Sequence, residues 1–161
     1  MVNAMIETKA IWEALNDVPD PELPVVSLIE MGIVRDVELS ESRIVVTITP
    51  TFAGCPALYA MKDAIIERLR QITDADIEVI TTLSPPWSSD WITVEAKEKL
   101  RAFGVVPASR HGGNVMLVDN VACPNCGSEN TSLRNSFGPT PCRMIYTCNV
   151  CYEPFEAFKP L

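Results

Sequence analysis

The sequence has little histidine and no long apolar run, and each of these shortages argues against one class of protein. His111 is the single histidine among 161 residues, which argues against a thiol-dependent enzyme because such enzymes usually need an imidazole base beside the nucleophile. No run of 18 or more apolar residues occurs, which argues against a membrane-spanning helix. Residues 1–17 have the pattern of an amphipathic helix rather than a signal peptide. A cytoplasmic protein is therefore expected.

Positive charge is also scarce in this chain. Lys and Arg number 13 against 21 Asp and Glu, which gives a formal net charge of -8. This excess of acid argues against a nucleic-acid-binding protein, because phosphate contacts require basic side chains. Neither a G-x-G-x-x-G fingerprint nor an E-x-x-H pair occurs, so the chain is not expected to bind a dinucleotide or to form a di-iron oxygenase core.

The six cysteines are unevenly distributed, with Cys55 alone and the other five between Cys123 and Cys151. Without export they are not expected to form disulfides, since cytosolic thiols stay reduced. The net charge also changes near residue 120, where the cysteine-rich part begins. Residues 1–120 hold 10 basic and 18 acidic residues, whereas the remainder holds three of each. A stretch rich in small and turn residues lies between the two parts. We predict three parts, namely a domain over residues 1–107, a linker over 108–120 and a module over 121–161.

The first domain is predicted to be a small mixed-sheet α/β (α+β) domain. Apolar residues recur at helical spacing from Leu58 to Leu69, whereas Ile44 to Thr49 is a β-branched run typical of a central strand. A strand, a helix and another strand in this order predict a βαβ unit with parallel strands. Predicted helices cover residues 6–15, 58–69 and 94–101, the last capped by Thr93 and ended by Gly104, and predicted strands cover 32–39, 44–49 and 77–80.

Cys55 lies between the predicted central strand and the second helix. Pro56 is a residue type favoured at the first helical position, so Cys55 is predicted to be the N-cap. Backbone N–H groups and the helix dipole there would stabilise a thiolate. Cys55 is thus a candidate reactive or cluster-carrying thiol, with Asp20, Glu22 and Thr51 as candidate partners. The plainer alternative is a small buried cysteine, together with ordinary turn chemistry around the prolines of the acidic loop.

The remaining cysteines form a metal-binding pattern. Two C-x2-C pairs are separated by 21 residues, a spacing that lets four thiolates surround one ion. Zn²⁺ is the metal expected, with iron or an iron–sulfur cluster as the alternative. Cys142 is either a core residue or a ligand that exchanges with one of the four. The four predicted ligands are Cys123, Cys126, Cys148 and Cys151.

The module around these cysteines is predicted to be a β zinc-ribbon-like fold. A hairpin is expected within residues 131–147 and a third strand over 154–158. A segment this short buries too little surface to fold without a metal. Its charges balance and no basic stripe occurs, so protein interaction is favoured over nucleic-acid binding. The predicted core residues of the hairpin are Leu133, Phe137, Ile145 and Tyr146.

Two sets of motifs carry a resemblance to known families. The first part contains Asp20-Pro21-Glu22, Met31-Gly32-Ile33-Val34, Thr47, Thr49, Thr51, Gly54-Cys55-Pro56, Trp87 and Trp91. The tail contains CPNCGS, SFGPTPCR, YTCNVC and EPFEAFK. With these motifs the first part resembles SufT-type iron–sulfur assembly factors, and the tail, together with the two-part order, resembles the PaaD family of aerobic phenylacetate degradation.

The resemblance implies an accessory protein of the phenylacetyl-CoA epoxidase, a di-iron monooxygenase with a reductase subunit. It implies that this protein assists iron or iron–sulfur centre assembly and binds the oxygenase and reductase subunits without catalysing the oxygenation. Cys55 would then be the thiol of the assembly domain, with iron or a cluster held there transiently, and Asp20 and Glu22 would form the acidic loop beside it. The alternative is a stable structural subunit with a purely structural zinc ribbon. Whether the protein forms a homodimer is left open.

Overall fold

The computed structural model describes residues 6–107 and 121–159. The chain forms two compact units that divide between Pro86 and Trp87. Among the described residues, no helix is both long enough and apolar enough to cross a membrane. The predicted linker over 108–120, with His111, lies outside the described residues.

The first unit is a three-stranded mixed sheet with two helices. Strand β2 lies in the centre, antiparallel to β1 and parallel to β3. Helix α2 connects the two parallel strands, which confirms the predicted βαβ unit. The elements in chain order are α1 (Thr8–Asn16), β1 (Val34–Leu39), β2 (Arg43–Ile48), α2 (Leu58–Arg70) and β3 (Asp76–Thr81).

The core of this unit follows directly from the periodicity of its elements. On β2 the alternate residues Ile44, Val46 and Ile48 are fully buried, as expected for a strand with one face toward the core. The buried faces of the helices are Ile11, Ala14 and Leu15 on α1, and Met61, Ile65 and Leu69 on α2. Apolar burial of this kind is the main stabilising term of a domain this size.

The proline-rich loop between α1 and β1 is also part of the core. Pro19 and Ser27 form an isolated antiparallel bridge, and Asp20 N–H donates to the Val26 carbonyl at 2.9 Å. The loop is therefore a fixed turn that holds the acidic residues 20–22 in place. Its buried apolar side chains are Val18, Leu23, Val26 and Leu28.

The second unit contains a four-stranded sheet in the order β4-β7-β6-β5. Strand β4 is parallel to β7, and the other neighbours are antiparallel, which confirms the predicted hairpin and third strand. The elements are a 3₁₀ helix (Ser89–Trp91), α3 (Val94–Phe103), β4 (Val105–Val106), β5 (Thr131–Asn135), β6 (Arg143–Cys148) and β7 (Pro154–Phe158).

Helix α3 has the caps that the sequence predicts. Thr93 Oγ1 accepts a 3.2 Å hydrogen bond from Ala96 N–H, and Gly104 adopts the left-handed conformation with φ of 97°. The helix belongs to the second compact unit, whereas the sequence placed it in a first domain ending at residue 107. The two-residue strand β4 follows α3 and pairs with β7, and so short a strand leaves no periodic pattern in the sequence.

The predicted core of the ribbon is partly wrong. Tyr146 is buried, but Leu133 is 40% exposed and Phe137 is 68% exposed. Leu133 lies on β5, the edge strand, where a side chain has a neighbouring strand on one side only. Phe137 instead lies under the Lys159 ammonium group, 4.3 Å from the ring centre. The observed core consists of Val106, Val121, Cys123, Met144, Tyr146, Cys148, Phe155 and Ala157, with Cys151 packed against it.

Candidate metal centre and thiol loop

The four sulfur atoms of the paired cysteines converge in the second unit. The Sγ atoms of Cys123, Cys126, Cys148 and Cys151 all lie within 4.8 Å of one another. Cys123 and Cys151 are 3.6 Å apart at Sγ, and Cys126 and Cys148 are 3.5 Å apart. These distances are too long for disulfides, but four sulfurs about 2.3 Å from a tetrahedral Zn²⁺ would lie about 3.8 Å apart. The donor set therefore fits one tetrahedral thiolate-bound ion.

Each pair of cysteines sits in a turn that directs N–H groups toward sulfur. In the second pair, the N–H groups of Val150 and Cys151 donate to Cys148 Sγ at 3.4 Å and 3.5 Å. In the first pair, Ser128 N–H donates to the sulfur of Cys126. Gly127 N–H donates to the Cys123 carbonyl at 2.9 Å and closes the turn. Such donors stabilise sulfur in the thiolate form that binds metal.

The sheet brings the two turns together. Cys148 is the last residue of β6 and pairs with Thr131 at the start of β5. The chain before Thr131 leads back to the first turn, where Cys123 N–H donates to the Ser128 carbonyl at 2.9 Å. Antiparallel pairing of β5 and β6 thus joins cysteines that are far apart in sequence.

Two of the four thiols are biased toward ionisation. A hydrogen bond from Glu153 N–H, reinforced by the Asn125 side chain, lowers the pKa of Cys151 to about 6. The pKa of Cys148 is lowered as well, chiefly by Cys151 N–H. Cys151 is therefore an ionised ligand near neutral pH, and Cys148 ionises more readily than an ordinary cysteine.

Cys126 has the opposite tendency. Ser128 N–H lowers its pKa, but hydrogen bonds with the other three thiols, together with partial desolvation, raise the pKa of Cys126 to about 12. Sulfurs this close share protons, because several thiolates without a cation repel one another. A bound dication would take the place of those protons.

The fifth cysteine of the ribbon has a different environment. Cys142 is buried, and its Sγ lies 3.2 Å from Thr140 Oγ1. It is not a member of the four-sulfur group. Arg143 beside it is also buried, donates from Nε to Thr140 Oγ1 at 2.8 Å and pairs with Glu156. The balanced charges of the ribbon sequence do not reveal that Arg143 is buried and paired with a half-buried Glu156.

Cys55 in the first unit does not cap a helix. Helix α2 begins at Leu58, and its N-cap is Ala57 without a side-chain cap, so the prediction of Cys55 as N-cap is wrong. Pro56 belongs to a turn before the helix, in which Cys55 N–H donates to Phe52 O at 3.1 Å and Leu58 N–H donates to Cys55 O at 3.2 Å. The reduced thiol of Cys55 is half-buried in this turn.

The acidic loop shows the turn chemistry that the plainer alternative expected. Asp20 is buried, and its Oδ1 accepts from the N–H groups of Glu22 at 2.8 Å and Leu23 at 2.9 Å. Glu22 is half-buried. In the part of the chain that the structure describes, the four ribbon cysteines form the one group of three or more His, Cys, Asp or Glu able to hold a metal. The roles given to Asp20, Glu22 and Cys55 stay predictions.

One further residue near the thiol loop was named in the sequence for the family resemblance but not as a site residue. Thr49 follows β2 directly and is 1% exposed, and within the described structure its Oγ1 has no hydrogen-bond partner. Thr51, a predicted site residue, is half-buried two positions later. The alternating Thr47, Thr49 and Thr51 are the sequence signal that could have drawn attention to this hydroxyl.

Two family models match separate parts of the chain. Residues 110–159 match the family model described as PaaD zinc beta ribbon domain, and residues 8–81 match the model described as iron-sulfur cluster assembly protein. A relative from Escherichia coli (strain K12), which is named as a putative subunit of the 1,2-phenylacetyl-CoA epoxidase, is 39% identical over 149 residues. The match covers 92% of this chain and 90% of the relative.

Two solved structures are similar as well. A conserved hypothetical protein from Thermotoga maritima is 26% identical with a TM-score of 0.51, over 59% of this chain and 94% of that chain. A domain of unknown function (DUF59) from Bacillus anthracis is 31% identical with a TM-score of 0.48, over 57% and 89% of the two chains.

The family itself is established by the match to the Escherichia coli protein, which extends over almost the full length of both chains. This protein therefore belongs to the PaaD family.

Proposed function

We propose that this protein is a metal-centre assembly factor of the phenylacetyl-CoA epoxidase system. In this proposal the ribbon holds a structural Zn²⁺, and Cys55 holds iron or an iron–sulfur cluster as cargo on its way to the oxygenase. The protein works in the cytoplasm with the di-iron oxygenase and reductase subunits. It does not catalyse the oxygenation itself.

The observation that carries the proposal is the combination of two modules in one chain. An N-terminal part that matches an iron–sulfur assembly model precedes a PaaD ribbon, and the first part contains a reduced, half-buried thiol. A thiolate is the usual protein ligand of iron–sulfur clusters. The relative named as an epoxidase subunit supports the choice of client.

The structural role of zinc is supported by where the four cysteines lie. Cys123 and Cys148 belong to the ribbon core and are 3% and 0% exposed. A four-thiolate site whose ligands are partly in the core leaves no open position for a substrate, which is typical of structural rather than catalytic zinc. When bound, Zn²⁺ would supply the cross-link that a module this small needs.

The cargo role of Cys55 is supported by the surroundings of its thiol. The turn that holds Cys55 follows the carboxyl end of β2, an edge at which ligands bind in α/β sheets. The Thr49 hydroxyl, which has no hydrogen-bond partner among the described residues, lies at the same strand end. A single thiolate ligand, in contrast to the four converging sulfurs of the ribbon, binds metal weakly enough to release it, which a carrier requires.

Anaerobic iron binding tests the role of Cys55. Protein with its ribbon filled by Zn²⁺ is titrated with Fe²⁺, and the absorption band of an iron–thiolate bond is measured. We expect the band in the wild type and in Cys142→Ala, and its loss in Cys55→Ala. Equal bands in the wild type and Cys55→Ala would contradict the role of this thiol.

The alternative function is a stable structural subunit of the oxygenase. The name of the Escherichia coli relative, which calls that protein a subunit, favours it. Size-exclusion chromatography of the co-expressed complex separates the two candidates. A stoichiometric component that persists in the active complex supports the structural role, and its absence from the loaded complex supports the assembly role.

A further inference from the structure

The two turns that contain the cysteine pairs are connected by the side chain of Asn149. This residue lies between Cys148 and Cys151. Its Nδ2 donates to Asn130 Oδ1 at 2.8 Å and to Ser132 Oγ at 2.9 Å. Its backbone N–H also donates to the Asn130 carbonyl at 2.9 Å.

The hydrogen bonds continue from Asn130 to the first turn. Asn130 N–H donates to Ser128 Oγ at 3.1 Å, and the Ser128 carbonyl accepts from Cys123 N–H at 2.9 Å. A continuous path of hydrogen bonds therefore runs from the second cysteine pair to the first. The Asn149 carboxamide contacts two residues of the partner segment at once, namely Asn130 just before β5 and Ser132 within it.

Such a connection fixes the spacing of the two turns in the folded ribbon. β5 and β6 pair only up to Thr131 and Cys148, and Asn149 extends the connection beyond the last strand residue into the turn. Because metal binding is coupled to folding of the ribbon, hydrogen bonds that hold the folded turns together strengthen metal binding.

We propose that Asn149 is a positioning residue of the metal site, which holds the two cysteine turns at binding distance without touching the ion. This inference rests on the proposed role of the four cysteines as metal ligands. Outer residues that orient ligands commonly change metal affinity by about tenfold or more. Because Asn149 and Asn130 are exposed and water competes for their bonds, we expect a change of about fivefold.

The test uses the full chain with Zn²⁺ and Co²⁺ as probes. Zinc loss to an excess of chelator is timed for the wild type, Asn149→Ala and the control Asn135→Ala. Asn135 is the matched control because its Oδ1 accepts one hydrogen bond from Phe137 N–H at 3.0 Å, at the other end of β5. The control removes an exposed asparagine bond from the same ribbon without affecting the cysteine turns.

We expect zinc loss about fivefold faster from Asn149→Ala than from the wild type, with Asn135→Ala unchanged. The Co²⁺ absorption spectrum, which reports the ligand geometry, should change in Asn149→Ala alone. Ser132→Ala removes the contacts between the Ser132 hydroxyl and the Asn149 carboxamide but keeps the bond to Asn130, so it should give a smaller effect in the same direction. Combining Asn149→Ala with Asn130→Ala should add little, because the two changes remove the same bond.

Equal rates and equal Co²⁺ spectra in Asn149→Ala and the wild type would overturn the role of Asn149 and leave the metal site intact. A wild-type protein that takes up neither Zn²⁺ nor Co²⁺ would overturn the proposed metal role and this inference together. The two failures are therefore distinguishable.

Discussion

Gly127 and Tyr152 occupy equivalent positions in the two cysteine turns. Each directly follows the second cysteine of a C-x2-C pair, and both have a positive φ, 75° at Gly127 and 63° at Tyr152. Glycine adopts this conformation without strain, whereas a bulky side chain there is a conformational outlier. The second turn therefore carries a backbone cost that the first turn avoids.

Replacing Tyr152 by glycine is predicted to stabilise the ribbon. Tyr152 is 78% exposed, so the substitution removes little packing, while the relief of a left-handed residue is worth about 1 kcal/mol. Denaturant unfolding of the zinc-loaded protein should show a higher free energy of unfolding for Tyr152→Gly. An unchanged or lower value would contradict the strain at this position.

The matched control is Gly127→Ala in the first turn. No atom lies within 4 Å of a Cβ added at Gly127, so the methyl group meets no steric contact. The same backbone effect should therefore act with the opposite sign and lower the free energy of unfolding by about 1 kcal/mol.

Zinc binding is predicted to tighten as pH rises. At pH 7 the Cys151 thiol, with a pKa of about 6, is ionised. Cys126, with a pKa of about 12, is protonated and must lose its proton to the metal. Each proton released strengthens binding about tenfold per pH unit. Competition with a chelator at pH 6, 7 and 8 measures how the zinc affinity changes with pH. A dissociation constant independent of pH would contradict the release of thiol protons on zinc binding.

Removing the metal is predicted to unfold the ribbon and spare the first unit. Cys123 and Cys148 are core residues of the ribbon, whereas the core of the first unit consists of aliphatic side chains. Amide hydrogen exchange with a chelator present should lose protection over residues 121–159 and keep it over β2 and α2. Protection of the ribbon that survives complete metal removal would contradict the role of zinc as its cross-link.

Cys142 is predicted to be dispensable for metal binding. Its sulfur contacts Thr140 and lies outside the four-sulfur group. Elemental analysis of Cys142→Ala should give the same zinc content as the wild type, whereas Cys148→Ala should lose the metal. A reduced zinc content in Cys142→Ala would contradict this prediction and show that Cys142 takes part in zinc binding.

The sequence predicted those features that depend on local spacing. The βαβ unit followed from the periodicity of β2, α2 and β3, and the caps of α3 followed from Thr93 and Gly104. The four-sulfur cluster followed from two short cysteine spacings. Each of these signals is a spacing or a residue type that can be recognised within a short stretch of sequence.

The features that the sequence did not predict depend on residues far apart or on fine turn geometry. β4 contains two residues, and its pairing with β7 joins positions about 50 residues apart. Leu133 is apolar but lies on an edge strand, so its exposure depends on strand order. Cys55 is not the N-cap because the chain forms a turn at Pro56, so that helix α2 begins only at Leu58.

The central claim is that Cys55 passes iron or a cluster to the epoxidase, and the iron content of the client tests it most directly. The oxygenase and reductase subunits are co-expressed with the wild-type protein, with Cys55→Ala and with the control Cys142→Ala, and iron per purified oxygenase is measured. We predict full iron loading with the wild type and with Cys142→Ala, and a large loss with a folded, zinc-containing Cys55→Ala. Full iron loading with Cys55→Ala would contradict the account.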